Sequence, residues 1–549
     1  MSDAEAARAL ADRFWDQLLE DAPLLATMVG DERFDDRLPD LGDEGRARQE
    51  QHARDALREL EAIDRGALDE TLRTTLDVVE SIASRELAEL EHRVDRLHVV
   101  SHLWGPGQLL AEIGSAQRAD TPERLDRLIG RLSSTPAYYE AAGEVARDGV
   151  RAGVTAPRIV VERAIAQVER LLETPPSDSP VLMPVPADDA DGRERVLAVV
   201  REIVDPALAR YLEVLREYLP SATETIGLSA LPGGDAMYGA EILSFTTLPL
   251  DARQVHDVGV EDLEEIQEER RRVAEAMGYP DPPAAVAGLH ASGRNTAASR
   301  EELVRLAEEQ VRRSWEAAPA FFGHLPSTNC EVRAVEPFRE RDMPFAFYNP
   351  PTHDGSRPGV YYVNAFDLEQ KPLHHLATTT YHEANPGHHF QTTLEQEIPD
   401  RPAIRRFGGY LAGVSFSEGW GLYSERLADE MGLFVDDAER LGMLDMQGMR
   451  AARLVVDTGI HAFGWTRERA IALLEEVGVP SVDAVIEVDR YVAMPGQALS
   501  YKIGQLEIER QRSAAEQRHG ADFSLKRFHD RLLSLGSLPL PALQRELAD

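Results

Sequence analysis

The sequence holds one cysteine, Cys330, in 549 residues, which excludes an intrachain disulfide framework. A thiolate nucleophile would need a base partner that the sequence does not supply, so Cys330 reads as structural. Lysine is almost as scarce: of 59 basic residues only Lys371, Lys502 and Lys526 are lysine, and the rest are arginine. Positive charge as a whole is short. With 96 acidic side chains the formal net charge is −37, which repels phosphate backbones and anionic lipid surfaces, so neither nucleic acid nor a membrane is an expected partner. The acidic, lysine-poor composition fits a salt-rich cytoplasm and a GC-rich genome equally well. No apolar run approaches the ~20 residues needed to cross a bilayer. The opening stretch, MSDAEAARALADRFWDQLLEDAP, is charged throughout, with no basic region ahead of an apolar one. A soluble, cytoplasmic protein is expected.

What is present is amphipathic. With 43% hydrophobic side chains the chain can bury a large core. Stretches such as ERLDRLIGRLSS (123–134) and DPALARYLEVLREYL (205–219) space apolar residues by three and four, which predicts a mainly α architecture. Thr121-Pro122-Glu123 has the form of a helix start, with Thr as cap and Pro in the first turn. The Pro-, Asp- and Ser-rich stretch 173–192 predicts a surface loop and a candidate hinge or lobe boundary. Between Glu331 and Asn364 the pattern changes. EVRAV, PFAFY and GVYYVN are short and β-branched or aromatic, separated by the turn-forming stretches EPFRERDM and NPPTHDGSRP, which predicts a small antiparallel sheet. An exposed edge of that sheet could hold an extended peptide; a covered structural hairpin is the alternative.

The chemistry concentrates just after it, in TTTYHEANPGHHFQ (378–391). In the short zinc motif two histidines stand four apart on one helical face, with a glutamate beside the first as general base. Here His382 and Glu383 open that motif, but Pro386 stands where the second histidine belongs, and His388 and His389 come two or three positions late. On an unbroken helix residues seven apart lie about 10 Å apart along the axis, too far for one ion. Pro386 and Gly387 permit a bend that could return His388 or His389 to His382. A third ligand is available from SFSEGWGLYSERLADE (415–430), which carries Glu418 and Glu425 on one predicted helix; a solvated acidic face is the competing explanation. Gly419 and Gly421, flanking Trp420, would admit close approach of another helix.

Two further stretches are unusually polar. In RAARLVVDTGIHAFGW, Arg453, Asp457 and His461 recur every four residues on one helical face, as an ion-pair ladder or with Asp457 orienting a reacting imidazole. In RYVAMPGQALSYKIG (490–504), Tyr491 and Tyr501 bracket a second Pro-Gly with Gln497 beyond it; they are core tyrosines or donors to an oxyanion. Arg490 is one candidate for binding a substrate carboxylate.

YHEANPGHHFQ, SEGWGLYSERLA, RLVVDTGIHAFGW and YVAMPGQALSYKIG, in that order, resemble the bacterial domain-of-unknown-function family 885, whose members look like zinc-dependent peptidases. The family is distantly similar to the helical metallopeptidases of the thimet oligopeptidase and Taq-type carboxypeptidase kind, whose motif reads His-Glu, one residue, Gly-His. The resemblance implies His382 and His388 as metal ligands with His389 as substitute, Glu418 as third ligand, Glu383 as base, and one zinc ion per chain. It implies two helical lobes around a cleft, residues 1–230 and 231–549, the second carrying the motifs. The expected reaction is hydrolysis of short peptides or related amides by a metal-activated water, with Tyr491, Tyr501 or His461 stabilising the oxyanion. The alternatives are a peptide-binding protein without metal and a metal-dependent amidase or esterase on a non-peptide substrate.

Overall fold

A computed structural model describes residues 2–103, 105–336, 340, 343–351, 357–398 and 401–548. Helices dominate it, as the apolar spacing predicts. The helix Pro122–Ser133 starts as its sequence indicates, with the Thr121 hydroxyl accepting the Arg124 amide at 3.3 Å, which satisfies one of the donors left open at a helix start. No helix among the described residues is long and apolar enough to cross a membrane.

The chain divides into two compact units. The first comprises Met1–Glu241 with two returning segments, Gly459–Arg467 and Ile486–Pro495. In it the helix Asp205–Tyr218 packs on Thr135–Ala152 and Arg158–Glu173, burying Tyr211, Leu212 and Leu215. The loop read at 173–192 is present, with two short 3-10 turns before a helix starts at Ala190, but it joins helices inside this unit and marks no boundary. Its Val181, Leu182 and Val185 are buried, and these anchors hold it against the unit.

The second unit comprises Ile242–Thr458, Glu468–Val485 and Gly496–Asp549. Its sheet has three strands, β1 (Glu331–Ala334), β2 (Ala346–Asn349) and β3 (Val360–Val363), in the order β1-β3-β2. The expectation of an antiparallel sheet needs correction. β2 pairs antiparallel with β3, but β1 runs parallel to it, with Glu331 opposite Val360. The chain passes β1, then β2, and only then enters the centre, so β1 meets β3 from the far side in the same direction; alternation in the sequence does not encode that order. Residues 337–339, 341–342 and 352–356 of the two turn-forming stretches lie outside the described residues. All four residues of β3 are buried.

One side of this sheet makes a core of Tyr361 and Val363 with Leu303, Ala307 and Val311 of the helix Arg300–Ala317 and with Leu376 and Ala384. This core seats helix α1 (Leu376–Glu383), whose Thr380 hydroxyl donates to Gln310 Oε1 at 2.8 Å. After a turn comes α2 (His388–Glu397), then α3 (Val414–Glu430), α4 (Asp437–His461) and α5 (Leu499–His519). α3 and α5 cross in intimate contact. The reason is Gly419 on one and Gly504 on the other: a Cβ on Gly419 would overlap the Gly504 backbone, and one on Gly504 would overlap the Ser415 carbonyl.

Gly504→Ala should therefore force the helices apart and lower stability by about 1–3 kcal/mol, the usual scale of overpacking. Gly448→Ala in α4, whose Cβ would meet nothing closer than Ile266 Cγ2 at 3.5 Å, serves as control and should be neutral or slightly stabilising. Urea midpoints compare the two, and equal midpoints would contradict the packing argument.

Candidate metal centre

The helix that carries His382 stops at Glu383, and α2 begins at His388. Between them runs a turn, Ala384–Gly387, which contains a cis Asn385–Pro386 peptide. α3 holds this turn. Trp420 Nε1 donates to the Pro386 and Gly387 carbonyls at 2.9 and 3.1 Å, and the Ser424 hydroxyl donates to the Tyr381 carbonyl at 3.0 Å. Position 387 must be glycine, because a Cβ there would overlap the carbonyl oxygens of His382 and Tyr381.

The turn brings the two imidazoles together, with ring centroids 4.8 Å apart and planes at 89°. Both Nε2 atoms face the same carboxylate oxygen: Glu418 Oε2 lies 3.8 Å from that of His382 and 3.5 Å from that of His388. One atom from each of the three residues lies within 4.8 Å of the others. Tetrahedral zinc, with bonds of about 2.0–2.1 Å, spaces its ligands roughly 3.3–3.4 Å apart, so the set could close on an ion with small side-chain shifts. Gly421 leaves the room: a Cβ there would stand 2.8 Å from His382 Nε2 and Cε1.

The far side of the His382 ring is fixed as well. Its Nδ1 is 2.9 Å from Glu425 Oε1, the carboxylate–histidine contact that selects the tautomer with Nε2 free to ligate. Glu425 Oε2 in turn accepts from Gln447 Nε2 at 3.0 Å, Gln447 Oε1 accepts from Lys502 Nζ at 3.0 Å, and Asp262 Oδ2 lies 3.0 Å from the same ammonium. Burial opposes charge on His382, but the carboxylates of Glu418, close to Nε2, and of Glu425, hydrogen-bonded to Nδ1, overrule it and raise its pKa to about 9. Burial likewise favours protonation of Glu418, yet the imidazoles of His382 and His388 beside it hold it well below the usual carboxylate range. For Glu383, burial prevails and raises the carboxyl, while the charges of His382 and His388 oppose the shift.

A family model described as "Bacterial protein of unknown function (DUF885)" matches residues 23–547. The chain belongs to this family. Two solved structures share the DUF885 chain's architecture. One, described as a "putative lipoprotein" from Colwellia psychrerythraea, is 26% identical, covers 100% of this chain and 99% of its own, and superposes with a TM-score of 0.91. The other, a "putative lipoprotein of unknown function" from Shewanella oneidensis, is 20% identical over 98% of this chain and 99% of its own, with a TM-score of 0.78, and is alike in fold. No curated protein matches the chain.

Other residues singled out in the sequence of this DUF885 member take different places. His389 turns toward the sheet: Nε2 lies 2.8 Å from the Thr328 carbonyl and Nδ1 2.8 Å from the Tyr348 hydroxyl. His461 and Tyr491 belong to the first unit. There His461 Nε2 donates to the Tyr491 carbonyl at 3.0 Å, Nδ1 accepts the Leu228 amide at 3.4 Å, and the Tyr491 hydroxyl donates to Glu487 at 2.5 Å. Arg490 pairs with Glu487 at 3.0 Å. Asp457 accepts the Gly496 amide at 3.1 Å. Arg453 stacks its guanidinium 4.5 Å over the Tyr501 ring, and Gln497 is buried, its carbonyl accepting the Ser500 hydroxyl at 2.7 Å. Cys330 is buried, and burial pushes its thiol to about 12, which keeps it protonated.

Three residues at the centre carry no local sequence signal. Gln447 and Lys502 belong to no motif with His382, and Tyr410, whose side chain is largely exposed, directs its hydroxyl to Glu418 Oε1 at 3.4 Å.

Burial lowers His389 and His461 from 6.5 to about 4. Above pH ~6.5 both are neutral, folded or unfolded; below it the unfolded chain binds protons that the folded chain refuses until about pH 4. Stability should thus fall as pH drops from ~6.5 toward ~4, and His389→Gln should flatten part of that fall. Thermal melts across this range check it; an unchanged slope in the variant would contradict the assignment.

Proposed function

We propose that this protein is a metal-dependent hydrolase, of zinc type, that cleaves short peptides or related amides. The observation that carries the reading is the convergence of His382 Nε2 and His388 Nε2 on Glu418 Oε2, with Glu383 next to the first ligand in sequence. Two imidazoles and one carboxylate leave one tetrahedral position for water or substrate, unlike a closed structural site. A zinc ion held there supplies Lewis-acid chemistry, lowering the pKa of a water and polarising a carbonyl.

The residues of the chain do the rest. Glu425 holds the His382 ring in its tautomer through Nδ1. Glu383 takes the proton of the attacking water and returns it to the leaving amine; a carboxyl raised by burial is better matched to that exchange near neutrality. Tyr410, at hydrogen-bond distance from Glu418, is placed to donate to an oxygen developing charge beside the ligands. The peptide substrate rests on the resemblance of the His-Glu region to helical metallopeptidases, and the net charge of −37 argues against nucleic acid. A cytoplasmic setting belongs to the same proposal. Cell fractionation tests it, and recovery with the membranes, in line with the description of the two structural neighbours as lipoproteins, would overturn it.

Elemental mass spectrometry of the purified protein should find zinc, with about one equivalent lost in each of His382→Ala, His388→Ala and Glu418→Ala. Glu383→Gln should keep that equivalent while peptide turnover falls by about 10²–10⁴. Full turnover in a folded, metal-loaded Glu383→Gln protein would sink the mechanism, and metal content indifferent to all three ligand variants would sink the site.

A further inference from the structure

A second convergence of ligand-type side chains lies at the other end of α1. His374 and His375 close the 3-10 turn Leu373–His375 that leads into the helix, and Asp445 sits on α4. Gly442, three residues before Asp445, lets α4 press on this turn, since a Cβ there would overlap the His374 carbonyl. Successive side chains on a 3-10 turn point about 120° apart. Here both Nε2 atoms nevertheless face one oxygen, Asp445 Oδ2, at 3.4 Å from His374 and 3.3 Å from His375, and the ring centroids are 4.1 Å apart.

Among the described residues the one hydrogen bond to these three atoms lies inside the cluster, between His375 Nε2 and Asp445 Oδ2 at 3.3 Å. Arg270 occupies the other oxygen, Asp445 Oδ1, through Nε at 2.8 Å and Nη2 at 2.6 Å. Asn295 occupies the other nitrogen of His374: its amide atoms lie 2.9 and 3.1 Å from Nδ1, and its Oδ1 accepts the His374 amide at 3.0 Å. His374 Nε2 is buried and makes no hydrogen bond. Its distance to Asp445 exceeds the ~2.7–2.9 Å of a charge-assisted bond and matches the roughly 3.3–3.4 Å between two ligands of one tetrahedral ion.

We propose that His374, His375 and Asp445 form a second binding site for a divalent transition-metal ion of the zinc class, separate from the His382 centre. Two imidazoles and a carboxylate are a borderline donor set that selects zinc and its neighbours over calcium or magnesium. The ion has a way in, because His375 is partly exposed and His290, whose ring centroid is 6.5 Å from that of His374, is exposed. Arg270 draws charge from the carboxylate and repels a cation, so this site fills after the first. An ion bound there ties the start of α1 to α4 and stabilises the fold by mass action.

The test uses full-length, metal-stripped protein and zinc alone. A His388→Ala/Glu418→Ala double variant, with the first centre disabled, should still take up about one equivalent of zinc and melt at a higher temperature when zinc is added. Adding His375→Ala should abolish both effects; His375→Gln serves if the alanine variant does not fold. A double variant that binds no zinc and shows no melting shift would overturn the proposal, as would uptake that survives loss of His375. If instead the first centre fails to bind metal, wild-type protein takes a single equivalent that His375→Ala removes, so the two readings fail separately.

Discussion

Two imidazoles six residues apart can share one target only if the helix between them is interrupted. Unbroken, the helix would set His382 and His388 about 9 Å apart along its axis; with the turn at Ala384–Gly387 their rings come to 4.8 Å. Most of what surrounds the centre maintains that interruption. The indole of Trp420 and the hydroxyl of Ser424 bind carbonyls that the broken helix leaves open, and Gly387 and Gly421 withhold the side chains that would push the pieces apart. All but Gly387 sit on α3, which also supplies Glu418 and Glu425, and α3 is fixed against α5 by the Gly419–Gly504 crossing.

Much of this was legible in the sequence because it is local. Pro386-Gly387 marked the break, and the glycines around Trp420 marked a close approach. Glu418 and Glu425, seven apart, shared a predicted helix; the structure separates their places, one carboxylate between the two Nε2 atoms and the other behind His382. What the sequence concealed is long-range. Gln447 and Lys502 reach the centre through the fold alone, and the parallel pairing of β1 depends on chain order across the sheet. The spacing of Arg453, Asp457 and His461 is a true helical face, yet Asp457 gives its carboxylate to the Gly496 amide, because the Pro495-Gly496 turn exposes a backbone donor that helical periodicity cannot anticipate.

The centre's electrostatics follow from the same geometry. Glu383, Glu418 and Glu425 crowd two imidazoles in a setting where water screens little, so the site favours positive charge strongly enough to lift His382 to about 9 against the cost of its burial. Asp445 shows the same logic at the far end of α1, where the neighbouring imidazoles of His374 and His375 and the charge of Arg270 outweigh burial and keep the carboxyl ionised.

Lys502 gives the arginine-rich composition a different meaning. Its ammonium meets Gln447 Oε1 and Asp262 Oδ2, each at 3.0 Å, from a fully enclosed position. A compact ammonium donates to the Gln447 amide while standing as counter-ion to the Asp262 carboxylate, whereas a planar guanidinium is wider and presents its hydrogens in a flat fork. Arginine is accepted at other enclosed positions, Arg131 and Arg405 among them, so what sets Lys502 apart is not burial but the pairing of an amide oxygen and a carboxylate around a single ammonium.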